Sequence, residues 1–330
     1  MTPECSITVR TAAELITVTP YLVGFHPTDC VVVLGVEEGV IAFTARHDLP
    51  PPGGDVDAAP LATVPAGPEG RYFVIVGYGP AARVTKAVGQ TVAALEGAGL
   101  SVRDALRVSD GRWWSYFCTE LRCCPPDGTP CLPPHHPVAA AAVFRGMVAL
   151  PSRRALVAVV APLEGPAREA MVAATARARV REAELRAVEV RARSGQRMRQ
   201  KAGRVAVRTA EARYRARAEL TDDEAAWLGV LLVDTVMLHY VLGRCGPEPW
   251  QLALWTGLVR RVEPAFVAGP AALLAYCAWR AGNWPLARVT LDRGLREEPG
   301  HRLLGVLDGL LAAGLTPDAV ESLEPPPVKR

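Results

Sequence analysis

The chain is expected to be an α/β protein: a mixed-sheet N-terminal domain followed by an all-helical C-terminal domain with a long Arg/Ala-rich helical segment. Three observations predict it. Short β-branched runs alternate with amphipathic stretches up to about residue 134. A proline- and cysteine-rich stretch, CCPPDGTPCLPPHHP, then interrupts the pattern. Beyond it the apolar residues recur at helical spacing, and few strand-like runs remain. The division is therefore drawn as residues 1–134 for the α/β domain and 135–330 for the helical one.

The elements follow in order. SITVR, residues 6–10, has the alternation of a strand, and Thr11 with Glu14 forms a capping box that opens a helix. Pro20 is expected to end or kink that helix, because its ring removes a backbone donor. CVVVLGV from Cys30 is apolar throughout, as in a strand covered on both faces. Across the turn at Glu38-Gly39, VIAFTARHDL completes a hairpin. Residues 50–70 are a Pro/Gly/Asp loop with room for one helical turn, and RYFVIVGY is the next buried strand. Val84, Val88, Val92 and Leu95 then trace one face of a helix that starts after Pro80. VRDALRV and RWWSYFC flank Asp110-Gly111, a strong hairpin signal. With aromatics on both faces, RWWSYFC reads as an interior strand.

Past Pro137 two short helices are expected, the second capped by Ser152, and then a long Arg/Ala/Glu helix that meets no breaker before Ser194-Gly195. Thr221 and Glu224 repeat the capping box and open a helix read as continuous through Leu242. Three or four further helices run to about Leu315, and the tail ESLEPPPVKR reads as disordered.

Composition sets limits on function. The 330 residues are 50% hydrophobic and 22% charged, the profile of a globular chain. No uncharged apolar run approaches the roughly 18 residues of a membrane span, so no membrane partner is expected. MTPECSITVR lacks the basic and apolar regions of a secretory leader, and a cytoplasmic location is the expectation. In a reducing compartment the eight cysteines are not a disulfide framework, and Cys5, Cys30, Cys245 and Cys277 read as small core residues. The net charge of +3 is unevenly spread: residues 167–219 carry fifteen basic and six acidic residues, a net +9 that leaves −6 elsewhere.

Candidate chemistry falls in three places. Cys118, Cys123, Cys124, Cys131 and His135 offer the thiolate and imidazole donors that zinc takes tetrahedrally, although the gaps are irregular and no second CxxC follows. A reactive thiol would need a neighbour that lowers its pKa, and buried thiols packed under the tryptophans are the plainer reading. In FHPTD and ARHD, His26, Asp29, Arg46 and Asp48 could act as an acid/base pair with an anion contact, the weak catalytic candidates of the chain. The same loop types commonly cap their own backbone, which is the favoured reading. Gly77 and Gly79 in VGYGPAAR lie where a phosphate loop sits, but the third glycine and the P-loop lysine are missing. GxSxG and HExxH are absent, so the reading leans away from an enzyme.

Residues 167–219 raise nucleic-acid binding as an alternative, since clustered cations release counterions from phosphate. Interleaved glutamates, a single aromatic at Tyr214 and a whole-chain bias of 34 Arg against 3 Lys argue for a solvated helix instead. Residues 271–301, AALLAYCAWRAGNWPLARVTLDRGLREEPGH, match the spacing of a tetratricopeptide unit, with Gly294 where alanine is usual. That unit points to protein partners through the helical domain, and an interaction or regulatory module is the leading expectation.

Taken together, ITVRTAAEL, PYLVGFHPTDCVVVLG, FTARHDLP, GRWWSYFC, CCPPDGTP and AWRAGNWPLARVTLDRGLREEPGH resemble an actinobacterial family, a domain of unknown function, across nearly the whole chain. The resemblance implies no activity, substrate or cofactor. Cys118, Cys123 and Cys124 match its pattern and Cys131 and His135 do not clearly do so, which weakens a four-ligand zinc site. The Arg-rich insert is longer here than is usual in that family.

Overall fold

The structure is a computed structural model that describes residues 9–37, 39–57, 59–62, 64, 70–192 and 197–321. Residues 6–8 of the strand expected at 6–10, Glu38 in the first hairpin turn and the tail from Ser322 lie outside the described residues, while Val9 and Arg10 are described and lie in no strand. Two compact units divide the chain, with the boundary at Ala155/Leu156 and Ala312–Gly314 counted with the first.

The first unit is built on a six-stranded mixed sheet. Its strands are β1 (Cys30–Glu37), β2 (Val40–Asp48), β3 (Tyr72–Tyr78), β4 (Val102–Ser109), β5 (Arg112–Ser115) and β6 (Thr129–Pro130), in the order β2-β1-β3-β4-β5-β6. A one-turn helix, α2 (Ala59–Ala62), precedes β3, and among these strands only β3 and β4 pair in parallel, because α3 (Ala81–Gly97) carries the chain between them. Val31 and Val33 of β1 join Phe73 and Ile75 of β3 under Val84, Val88 and Leu95 of α3. Cys30, Val32 and Leu34 point the other way and are equally buried, which is why the run is apolar at every position.

α1 (Ala12–Val23) starts at Thr11, whose hydroxyl accepts from Glu14 N while Glu14 answers to the Thr11 N–H. Pro20 does not end the helix, which runs on to Val23 and stops at Gly24, φ 81°. Pro20 lies in a fully packed stretch with Val18 and Thr19, and that burial offsets one lost backbone bond. α4 (Pro137–Phe144), which the division at 134/135 assigns to the helical half, packs here against α1 through Val138, Ala142 and Val18. β5 is flanked by β4 on one side and by only two residues of β6 on the other, so RWWSYFC is nearly an edge strand. Trp113 is buried, Trp114 lies under Arg107 and the loop at Pro126, Tyr116 bonds Thr85 of α3 at 2.8 Å, and Phe117 is 46% exposed.

α5 (Arg153–Val159) leads into the helical unit, and the Ser152 hydroxyl accepts from Ala155 N at 3.2 Å as expected. The Arg/Ala-rich segment forms α6 (Pro166–Ala192) and α7 (Arg197–Arg215). The second capping box opens α8 (Asp222–Leu231). The helix read as continuous breaks there: Asp234 caps a separate α9 (Thr235–Leu242), accepting from Val236 N at 2.8 Å, and the two axes differ by 108°. α10 (Pro249–Arg261), α11 (Ala268–Arg280), α12 (Trp284–Glu297), α13 (Arg302–Ala312) and α14 (Pro317–Glu321) complete the unit. α11 and α12 form a hairpin across Asn283, which caps α12, and Ala271, Leu274, Ala275, Ala278, Ala287 and Leu291 are wholly buried. Among the described residues no single helix is long and apolar enough to cross a membrane.

Candidate functional site

The site grows from the β4–β5 hairpin. Asp110 and Gly111 both take positive φ, 51° and 71°, which suits a two-residue turn and sets the register of Trp113 and Trp114. At the end of β5 the Ser115 hydroxyl donates to Asp104 Oδ1 at 2.7 Å and accepts from Phe117 N and Cys118 N at 3.1 and 3.0 Å. That hydroxyl turns the chain out of the sheet and fixes where Cys118 leaves it. The chain then doubles back. Trp114 Nε1 donates to Pro126 O at 2.9 Å, and Arg112 holds the carbonyls of Asp127 and Gly128 at 2.6 and 2.7 Å. The Trp114 ring carries Arg107 on one face at 3.7 Å, while Gly128 lies so close that any Cβ would sit 2.4 Å from the indole. The motifs RWWSYFC and CCPPDG are therefore two halves of one clasp.

Closing the clasp gathers three thiols. The Sγ atoms of Cys118, Cys123 and Cys124 all lie within 4.8 Å of one another. Both cysteine amides of the pair donate to Glu120 O, at 3.0 and 2.7 Å, so a turn backs the cluster. The thiols differ electrostatically. A hydrogen bond from Cys124, then one from the backbone at Glu120, holds the Cys118 thiol below the usual thiol range. Cys124 is pushed up to about 12 by burial first and by its bonds to the two neighbouring sulfurs. Of the two, Cys118 is the more acidic thiol and Cys124 the one that holds its proton more tightly. At pH 7.5, iodoacetamide is expected to modify Cys118 several-fold faster than Cys124, and Cys124→Ala should slow Cys118 by raising its pKa. Peptide mapping of a time course reads this, and equal rates at both positions would contradict the assignment.

The wider ligand set read from the sequence does not assemble. Cys131 follows β6, with its amide on Gly111 O at 2.8 Å, on the hairpin-turn side of the loop, and burial raises its thiol. His135 is exposed, and its neighbour His136 caps α4 by accepting from Val138 N at 3.3 Å. Neither belongs to the group of three.

The catalytic candidates lie apart from the thiols: Asp29, Arg46 and Asp48 gather around Cys30, with Leu49 N on Asp29 O at 2.9 Å. His26 is exposed and bonds through its backbone to Leu150 O at 2.9 Å. Asp29, at φ 46°, pairs with Arg83 of α3 at 2.8 Å. Arg46 and Asp48 form an ion pair on the sheet face of Cys30, with Arg46 over the Phe25 ring at 5.7 Å. The Arg46 hydrogen bond, against opposing burial, keeps Asp48 below the usual carboxylate range. These residues lie at the ends of β1 and β2, whereas the thiols follow the far end of β5, three strands from β1 and four from β2, or roughly 14–19 Å at ~4.8 Å per strand. Asp29 is tied to Arg83 and Asp48 to Arg46. The glycine pair of VGYGPAAR also has a packing role: a Cβ on Gly77 would meet Val84 at 2.4 Å and Val88 at 2.7 Å.

Residues 167–219 use their charge on their own unit. Arg177 pairs with Asp223 at 2.6 Å, Arg213 with Glu224 at 2.9 Å, and Arg199 with Glu182 at 3.2 Å. Arg181, Arg204 and Arg215 lie over the rings of Trp227, Tyr240 and Trp250. Glu211, 5% exposed, takes both nitrogens of an Arg244 fork. These contacts staple α6 and α7 to the helices that follow. What the sequence reading missed was the support of the thiol site by Asp104, Arg112 and Ser115, for which the only local signal is their spacing around Asp110-Gly111.

No curated protein and no solved structure matches the chain. A family model described as a domain of unknown function, DUF4192, matches residues 13–318 and so spans both units. The chain is a member of the DUF4192 family.

Proposed function

We propose that this protein is a soft-metal-binding regulatory module, in which Cys118, Cys123 and Cys124 hold a zinc-class ion. The observation that carries it is the convergence of three sulfurs within 4.8 Å on a loop clamped by Trp114, Arg112 and Ser115. Zinc–thiolate bonds of about 2.3 Å place tetrahedral ligands roughly 3.8 Å apart. Side-chain rotation of about 1 Å closes that difference without moving the backbone. The lowered Cys118 thiol gives up its proton to a metal more readily than an ordinary thiol, and metal binding also releases the proton that Cys124 keeps when free. Three protein donors leave the fourth position to water or to a side chain from a partner. Metal occupancy would then set the conformation of residues 118–131, which is a regulatory output.

A second reading, protein binding by the helical unit, is supported by the α11–α12 hairpin at tetratricopeptide spacing. Eleven of the thirteen α11 residues are buried, so in this reading α11 is the brace and the outward side of α12 and α13 the contact surface.

The metal reading is tested on protein purified under reducing conditions, by metal content and by titration with cadmium, whose thiolate charge-transfer band counts bound sulfurs. One ion per chain is expected, with affinity falling about a hundredfold or more in Cys123→Ser or Cys118→Ser and unchanged in Cys131→Ser and His135→Ala. Absence of a band, or a band that survives Cys123→Ser, would overturn the assignment.

A further inference from the structure

We propose that Cys118, Cys123 and Cys124 bind trivalent arsenic, taking up arsenous acid as a three-coordinate thiolate. The inference rests on the reading of these thiols as one ligand site and adds a second class of ligand to it. Among the described residues the group consists of three sulfurs, all within 4.8 Å of one another, and no imidazole, carboxylate or further thiol joins it. Zinc completes its shell with a fourth donor. Arsenic(III) is a soft centre that forms three bonds and fills the fourth direction with its own lone pair, so three thiolates saturate it. The donors that the sequence offers for a fourth position are held elsewhere: the Cys131 amide bonds Gly111 O at 2.8 Å, and His135 is exposed beyond it. The Asp104 carboxylate, on the β4 side of the clasp, has Oδ1 engaged by the Ser115 hydroxyl at 2.7 Å and by Ala105 N at 2.8 Å.

The charge balance favours the same ligand. Zinc on three thiolates keeps one net negative charge, which donors around the sulfurs must offset. Here the amides of the three cysteines are spent on oxygen: Cys118 N on the Ser115 hydroxyl at 3.0 Å, and Cys123 N and Cys124 N on Glu120 O at 3.0 and 2.7 Å. Arg107 lies over the Trp114 ring, Arg112 holds two carbonyls, and Arg122 is exposed. An arsenic tris-thiolate is neutral and requires no such support. Access is open, since Cys123 is exposed and Cys118 and Cys124 are half-buried. Their side chains can turn inward onto the narrow pyramid of arsenic while Trp114 and Arg112 hold the loop backbone. In the reaction three S–H bonds and three As–O bonds break, and three As–S bonds and three O–H bonds form. The hydroxyls of arsenous acid leave as three waters, arsenic stays trivalent, and no oxidant or reductant takes part.

The test is titration of the reduced full chain with sodium arsenite, beside a separate cadmium arm, read by native mass spectrometry and by a chromogenic count of reactive thiols. One arsenic per chain is expected, seen as the mass of one arsenic atom less three hydrogens, with three fewer reactive thiols. Losing one of three linked donors forfeits its effective concentration, so Cys118→Ser, Cys123→Ser and Cys124→Ser should each weaken arsenite binding by about a hundredfold or more. Cys131→Ser should bind as the unaltered chain does. The mass and the thiol count on the unaltered chain test the site even where a variant fails to fold. Cadmium binding without arsenite binding would overturn this inference and leave the metal reading standing. Arsenite on three thiols without cadmium binding would uphold the inference and remove the metal reading. Arsenite that covers only two thiols, or survives Cys118→Ser unchanged, would reduce the site to the Cys123-Cys124 pair and overturn it.

Discussion

Gly128→Ala is expected to lower the metal affinity of the thiol cluster by about a hundredfold while leaving the sheet folded. The residue sits at φ +76°, where an L side chain costs about 1–2 kcal/mol. Its new Cβ would also lie 2.4 Å from Cε2 and 2.6 Å from Cζ2 of Trp114. One of the two must move, and either motion breaks the Trp114–Pro126 hydrogen bond and the Arg112 hold on the Asp127 and Gly128 carbonyls. Cys123 and Cys124 precede that anchor, so their Sγ atoms lose their fixed distance from Cys118. Supports that only orient ligands commonly contribute 10–100-fold in affinity, and here the whole loop is released. Cadmium titration gives the affinity, and far-ultraviolet circular dichroism shows whether the sheet persists. Wild-type affinity in Gly128→Ala would mean that the clasp does not position the thiols.

Gly77→Ala is expected to destabilise the N-terminal unit by about 1–3 kcal/mol, the usual cost of forcing one carbon into a closed core. The added Cβ would overlap Val84 Cγ1 at 2.4 Å and Val88 Cγ2 at 2.7 Å, both on the buried face of α3. The glycine is what lets α3 lie directly on β3. If so, Gly77→Ala and Val84→Ala should not add: the double variant should regain about 1 kcal/mol relative to the sum of the singles, since the second change removes the methyl that the first collides with. Denaturant unfolding of the four proteins measures this. A neutral Gly77→Ala would return the residue to the phosphate-loop reading.

Local physics explains what was legible in the residues. Both capping boxes, Thr11 with Glu14 and Thr221 with Glu224, lie within one turn and formed as read. The Asp110-Gly111 hairpin needs only positive φ at two adjacent positions and was equally clear. The all-apolar run from Cys30 showed a strand buried on both faces because that burial is uniform along it. Failures came where a distant partner outweighs a local rule. Pro20 stays inside α1 because the surrounding turn is packed, and Asp234 breaks an apolar run into α8 and α9 because its side chain can accept two amides at the bend. The arginines of 167–219 looked like a free cationic face until the rings and carboxylates of α8 to α10 supplied their partners.

The cysteine-rich stretch shows the same division. Composition and spacing established that Cys118, Cys123, Cys124, Cys131 and His135 were near in sequence, and nothing local could say which would meet. The fold decided it. A two-residue strand returns the chain to β5 at Thr129 and places Cys131 beside Gly111, while Trp114 and Arg112 draw the preceding turn back to Cys118. Proximity in sequence limits reach, but the placing of the thiols is set by the Trp114 and Arg112 side chains, which hold backbone carbonyls twelve to sixteen positions further on. The residues by themselves determined the sheet, the helices and the list of donors; only the tertiary structure determined that three of them share a site.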